Sequence, residues 1–357
     1  MEQQNENAPV PRVQTVTGPV DPAELGRVLS HEHLLALTPG PWLSGGRRGG
    51  ADGAEESAAA FDREQVELAV AALGGLAAHG VDTVVDLSPY GDAGRDAWGR
   101  NTALLREISR RSGVRIVAGT ATYREAFSPA WVRTAGVEEI TRRLVEDAQT
   151  GIGGTGVRAG ILGEVPTGLG EVTGHERKGL RAAARAHHLT GLAISTHTTH
   201  GTMALEQIDL LEEEQVDPGR VVIGHLDNHP ELDYLRRVLD RGVNIAFDSV
   251  GKQNWDLRLP PATDPQPDGP HTRQSLRQSD VTRADRLALL VAEGHAERIL
   301  LSQDLTGPQV QQNPATHGQW GYAYLSAVFL PMLLERGVNE EQVETMMHSN
   351  PVRLLTV

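Results

Sequence analysis

Eight short apolar runs alternate with amphipathic helical stretches along almost all of this 357-residue chain. No other feature limits the fold as tightly. A strict β-then-α order requires a parallel sheet, because each crossover helix returns the next strand to the same end. The predicted strands are Arg27–His31, Thr83–Leu87, Arg115–Thr120, Ala159–Glu164, Leu192–His197, Arg220–His225, Val243–Asp248 and Arg298–Gln303. Stretches such as "REQVELAVAALGGLAAHG" and "LDYLRRVLDRG" lie between them and stop at glycine, as helices commonly do. Eight such units predict a closed (β/α)8 TIM barrel, with an open doubly wound sheet as the alternative. The polar residues 1–12 read as a flexible tail and 13–357 as one domain.

Two segments interrupt the rhythm. Residues 38–60 are rich in Gly, Ala and Ser and follow the first strand, while residues 256–283 are rich in Pro and Asp and follow the seventh. Both read as long loops at the carboxyl ends of strands, where barrel enzymes build their sites. "GIGGTG", residues 151–156, matches a dinucleotide-binding pattern letter for letter. It follows a helical stretch and precedes a strand, the reverse of the order that pattern needs, and reads as an αβ turn.

The strand ends carry the chemistry. The run "VLSHEHLLAL" puts His31 and His33 two apart, so in a strand both rings share a face. Such a pair is either two metal ligands or an awkward piece of core. Glu164 ends the fourth strand, His197 the fifth, His225 the sixth, and Asp304 follows the eighth. Four imidazoles and two carboxylates thus meet at one end of the barrel, where they would be costly without a cation. Six such donors fit two metal ions better than one. Imidazole with carboxylate suits zinc, the expected ion, and also manganese, cobalt or iron. The chain has no cysteine, so thiolate ligation is excluded. Two ions roughly 3.5–4 Å apart can share a bridging hydroxide and polarise a carbonyl or phosphoryl oxygen.

Composition removes other classes. A net charge of −14 with no basic stripe argues against nucleic acid. No run of 18 apolar residues and no signal-peptide pattern is present, so the chain is expected to be cytoplasmic, without a membrane partner.

The segments "VQTVTGPVDPAELGRVLSHEHLL", "THT", "IGHLD" and "SQD", in that order, make the chain resemble the phosphotriesterase-like branch of the amidohydrolase superfamily. "TVVDLSPYGDAGRD", "GVRIVAGTATY" and "SNPVRLL" extend the resemblance from about Val13 to Leu355. It implies a binuclear metallohydrolase barrel and a homodimer. His31, His33 and Asp304 would bind the more buried ion, and His197 and His225 the more exposed one. Many members bridge the ions with a carboxylated lysine, but Glu164 stands here. A glutamate there resembles the phosphotriesterase homology proteins more closely than the organophosphate-degrading enzymes, and the chain as a whole resembles those homology proteins and the phosphotriesterase-like lactonases. The latter also use an Asp–His proton relay, and Asn228 and Ser249 occupy the matching positions. Tyr123 falls where lactonases of the family place a tyrosine near the substrate.

The expected reaction is therefore hydrolysis of a lactone or carboxyl ester, with Asp304 orienting the hydroxide, taking its proton and passing it to the leaving alkoxide. N-acyl amide hydrolysis, weak phosphotriesterase activity and non-catalytic binding of a small molecule are the rivals. After the seventh strand Lys252, with Arg258 nearby, is the one basic candidate for a substrate anion, and the loop after the eighth strand has none. A neutral or singly charged small-molecule substrate fits that supply. Trp42, Trp255, Trp320 and Tyr322 are candidates for an apolar rim; His200, His229 and His317 read as incidental to ligation.

Overall fold

One residue from each of eight strands points into a common interior: Val28, Val85, Val117, Ile161, Ala193, Val222, Ala246 and Leu300 form one buried cluster. Their immediate neighbours Leu29, Val84, Ile116, Leu162, Ile194, Ile223, Ile245 and Leu301 belong instead to the larger cluster beneath the helices. This two-sided burial is what a parallel sheet covered by helices needs. The computed structural model describes residues 10–35, 54–91, 94–252, 257–258, 276–305 and 321–357.

The strands are β1 (Arg27–Glu32), β2 (Val81–Asp86), β3 (Arg115–Thr120), β4 (Ile161–Thr167), β5 (Ile194–Thr198), β6 (Val221–Gly224), β7 (Asn244–Phe247) and β8 (Ile299–Leu301). They lie side by side in chain order and all pair in parallel. The seam between β8 and β1 is closed by single hydrogen bonds. His31 N–H donates to Ser302 Oγ at 2.9 Å, and Asp304 N–H donates to the His31 carbonyl at 3.0 Å. The result is a (β/α)8 barrel, as the alternation predicts.

The helices on the outside are α1 (Ala54–Leu73), α2 (Ala103–Ser112), α3 (Val137–Gln149), α4 (Gly174–Thr190), α5 (Ala204–Glu213), α6 (Leu232–Leu239), α7 (Asp280–Ala292) and α8 (Leu330–Leu334). Leu354 and Leu355 of the C-terminal helix α9 (Asn350–Leu355) plug the bottom of the barrel. The segment 151–156 does stand between α3 and β4.

Three sequence-based boundaries change. Helix α1 begins at Ala54, inside the expected 38–60 loop, because "AEESAAA" is made of strong helix formers. In the 256–283 segment, Leu257–Arg258 pair antiparallel with Leu276–Arg277, and α7 starts at Asp280 behind a Ser279 cap. Strand β4 runs on to Thr167, so Glu164 lies within it rather than at its end. No helix among the described residues is long and apolar enough to cross a membrane.

Candidate metal centre

The centre is assembled by backbone irregularities as much as by strands. In β1, Leu29 faces the helices, so strict alternation would send His31 and His33 there too. The β1–β2 register shifts between Leu29 and Glu32, and both imidazoles turn to the barrel mouth. A second shift, between Leu162 and Val165 of β4, does the same for Glu164. His197 on β5 needs no such device, since Ala193 and Ser195 already face inward. His225 and Asp304 reach the mouth from left-handed backbone, with φ of 56° and 51°. Left-handed backbone in a residue with a Cβ costs about 1–2 kcal/mol and collects at functional sites.

Two groups of donors result. His33 Nε2 and Asp304 Oδ1 are 2.9 Å apart, with His31 Nε2 at 3.7 Å from the same oxygen. On the other side His197 Nδ1 and His225 Nε2 are 2.9 Å apart, and each faces Glu164 Oε2, at 2.9 and 3.4 Å. Glu164 stands between the groups: its Oε1 is 3.5 Å from His33 Nε2, and its Oε2 is 3.5 Å from His31 Nε2. The three imidazoles of His31, His33 and His225 are almost wholly buried with Glu164. Among the described residues two clusters have metal-binding spacing, His31–Glu164–His225 and His31–His33–Asp304.

The charges are strongly perturbed. Burial would lower the His31 imidazole, but the Asp248 and Glu164 carboxylates outweigh it and push it up to about 10. His225 rises for a similar reason, while burial keeps His197 below its usual value. Burial would raise Asp304, yet Lys252, His225 and the His33 hydrogen bond hold it well below the carboxylate range. Glu164 is held down against its burial by His197, His225 and His31. These are groups that need positive charge between them, whether protons or a cation.

Do these residues fit divalent ions? His31 Nε2 is buried and makes no hydrogen bond, although it points at two carboxylates. Its Nδ1 donates to Asp248 Oδ2 at 2.8 Å, so the orphan Nε2 is the nitrogen at which a metal ion would replace a proton. His225 Nδ1 donates to Asp248 Oδ1 at 2.9 Å, and its Nε2 faces the same interior. Imidazoles fixed by a carboxylate behind them are the usual arrangement of metal-ligating histidines. The donor set fits.

Asp248 is the residue that sequence reasoning passed over. It stands at the end of a predicted strand, on the face where barrel sites form, and that was its only signal. The role of Glu32 was equally hidden. Its buried carboxyl oxygens accept the Gln303 and Leu305 amides at 2.9 and 2.7 Å, and one lies 2.8 Å from Ser302 Oγ. Glu32 therefore ties the loop bearing Asp304 to the strand bearing His31 and His33. Burial, only partly offset by those hydrogen bonds, lifts its carboxyl to about 8.

The remaining candidates divide. Tyr123 Oη is 3.4 Å from His197 Nδ1, and burial raises its phenol well above the usual value. Lys252 donates to Asp304 Oδ2. Asn228 Nδ2 donates to Ser249 Oγ at 2.7 Å, and Arg283 fixes the Asn228 carbonyl oxygen at 3.1 Å. Tyr322 is buried rather than on a rim. His229 stacks on Tyr234 at 3.9 Å and belongs to neither cluster with metal-binding spacing. Trp42, Trp255, Trp320 and His317 lie outside the described residues, as does the side chain of Arg258.

Comparison with known proteins shows which family the chain belongs to. The phosphotriesterase homology protein of Escherichia coli is 34% identical over 253 residues, covering 71% of this chain and 78% of the relative. The N-acetyltaurine hydrolase of Tetraodon nigroviridis is 28% identical over 97% of this chain and 98% of its own. A mutant PTE-like lactonase of Deinococcus radiodurans superposes with a TM-score of 0.75 at 31% identity, covering 96% of this chain and 99% of the other. The model of the phosphotriesterase family matches residues 11–355, and the chain belongs to that family of hydrolases.

Proposed function

We propose that this chain hydrolyses carboxylic esters, lactones included, with the help of two divalent ions. The observation that carries the proposal is Glu164, whose Oε1 faces His33 and whose Oε2 faces His31, His197 and His225, so that one carboxylate reaches both groups of donors. His31, His33 and Asp304 would hold one ion and His197 and His225 the other, with Glu164 shared. Zinc is the expected ion, and manganese, cobalt or iron suits the same donors. When bound, the ions would acidify a water shared between them and polarise the substrate's carbonyl oxygen.

The chain's own residues supply the remaining chemistry. Asp248 holds His31 and His225 with their Nε2 lone pairs inward. Asp304, ionised and steered by Lys252, accepts the proton of the attacking water and returns it to the leaving alkoxide. Tyr123 stays protonated and offers its hydroxyl to the substrate beside His197. The Asn228–Ser249 pair carries no titratable group of an Asp–His relay, which counts against efficient phosphotriester hydrolysis.

Amide hydrolysis is the second reading, and Lys252 favours it: an ammonium on Asp304 puts a proton donor where a leaving amine would need one. The relative named N-acetyltaurine hydrolase supports the same direction. The test is a pH-indicator screen of zinc- and manganese-loaded protein against lactones, aryl esters, N-acyl amino acids and a phosphotriester, with Asp304→Asn as the blank. Ester or lactone turnover lost in the blank supports the first reading, and amide turnover alone supports the second. Turnover that survives Asp304→Asn overturns both.

A further inference from the structure

We propose that Lys252 anchors an anionic headgroup of the substrate, a carboxylate or sulfonate, beside Asp304, so that the preferred substrates carry one negative charge. This rests on the hydrolase reading above and specifies its substrate.

The site opens on the side of Lys252. The side chains of Lys252, Asp304 and His197 are 22%, 18% and 15% exposed, whereas those of His31, His33, Glu164 and His225 are at most 6%. A bound molecule therefore meets the ammonium before it meets the buried imidazoles. The base of the lysine is held in place. Gly251, at φ 85°, donates its N–H to Asp280 Oδ2 at 3.0 Å, and a Cβ there would sit 3.0 Å from the Tyr324 ring. The Lys252 N–H reaches the Ser249 carbonyl at 3.4 Å.

Charge balance then gives the ammonium a task. Among the described residues, Glu164, Asp248 and Asp304 are the carboxylates in contact with the four imidazoles. Three negative charges do not neutralise two divalent ions, so Lys252 is not required as a counter-ion once the centre is filled. Its charge becomes surplus at the open side, on a protein whose net charge is −14. Arg124, directly after Tyr123, is a second cation beside this part of the site; it makes no ion pair among the described residues. Local positive potential on an acidic protein concentrates anions where they are needed. A lysine is a point charge without the fork of arginine, which suits one oxyanion group in varied orientation.

The test compares three matched acyl compounds on the metal-loaded full chain, with neutral, carboxylate-terminated and sulfonate-terminated leaving groups. Metal content is measured in every variant. Lys252→Gln is expected to lower kcat/KM for a charged compound by about ten- to a hundredfold more than for the neutral one, the range of a lost charged hydrogen bond. Lys252→Arg should keep the preference. Calorimetric titration with propionate and ethanesulfonate provides a readout independent of turnover: either anion should bind the wild type more tightly than Lys252→Gln. Which anion binds assigns the headgroup. Equal losses on all three compounds, or anion binding unchanged by Lys252→Gln, would overturn the proposal and leave Lys252 as a positioning partner of Asp304. If none of the compounds is hydrolysed the hydrolase reading fails, and the calorimetry still decides the role of Lys252.

Discussion

Asp248 Oδ2 lies 2.8 Å from His31 Nδ1, and the other oxygen of the same carboxylate takes His225. One side chain thus sets the rotation of two rings whose Nε2 atoms both face Glu164 Oε2. In Asp248→Asn the amide would present N–H to at least one ring nitrogen that is itself a donor. Metal affinity should fall by about ten- to a hundredfold, as for other residues that support ligating histidines. Competition with a chromophoric chelator measures this, and unchanged affinity would remove Asp248 from the centre.

Metal uptake should release protons. His31, pushed up to about 10, is protonated at pH 8 when no cation shares the site, and His225 is raised for a similar reason. A divalent ion displaces the His31 proton, so binding should tighten as pH rises. Titration calorimetry at pH 8 in buffers of different ionisation enthalpy should show at least one proton released per protein. A heat independent of buffer would contradict the assignment of these rings.

Glu32→Gln should loosen the loop that carries Asp304. The two oxygens of the native carboxyl group each accept a backbone amide and one contacts Ser302, and a glutamine cannot accept on its nitrogen. Leaving one buried amide unpaired costs about 1–3 kcal/mol. Urea denaturation should show that loss, and metal content should drop with it. A fully stable variant with full metal content would mean that the loop is held by other contacts.

Below neutrality His229 should weaken the fold. Burial holds its imidazole down at about 4, while the unfolded chain protonates near 6.5. The stability supplied by the neutral ring is complete above about 6.5 and drains away as pH falls toward 4. His229→Asn should therefore lose less stability than the wild type between pH 7 and pH 5 in urea titrations. Parallel losses would show that other groups set the acid limb.

The amino-acid sequence by itself determined the barrel and the inventory of donors. Eight alternating units leave few ways to bury eight strands, and a histidine or carboxylate after an apolar run reads out its place at a strand end. His197 needs nothing more, because period-2 alternation from Ala193 already turns it inward. For the others alternation misleads. His31, His33 and Glu164 would face the helices on a regular pleat, and His225 would follow Ile223 outward. Their inward turn depends on two register shifts and on left-handed backbone, which neighbouring strands impose through pairing. Asp248 and Glu32 were hidden for the same reason. Their hydrogen bonds join residues 217 and 271 positions apart, and such partners exist only after the sheet has closed.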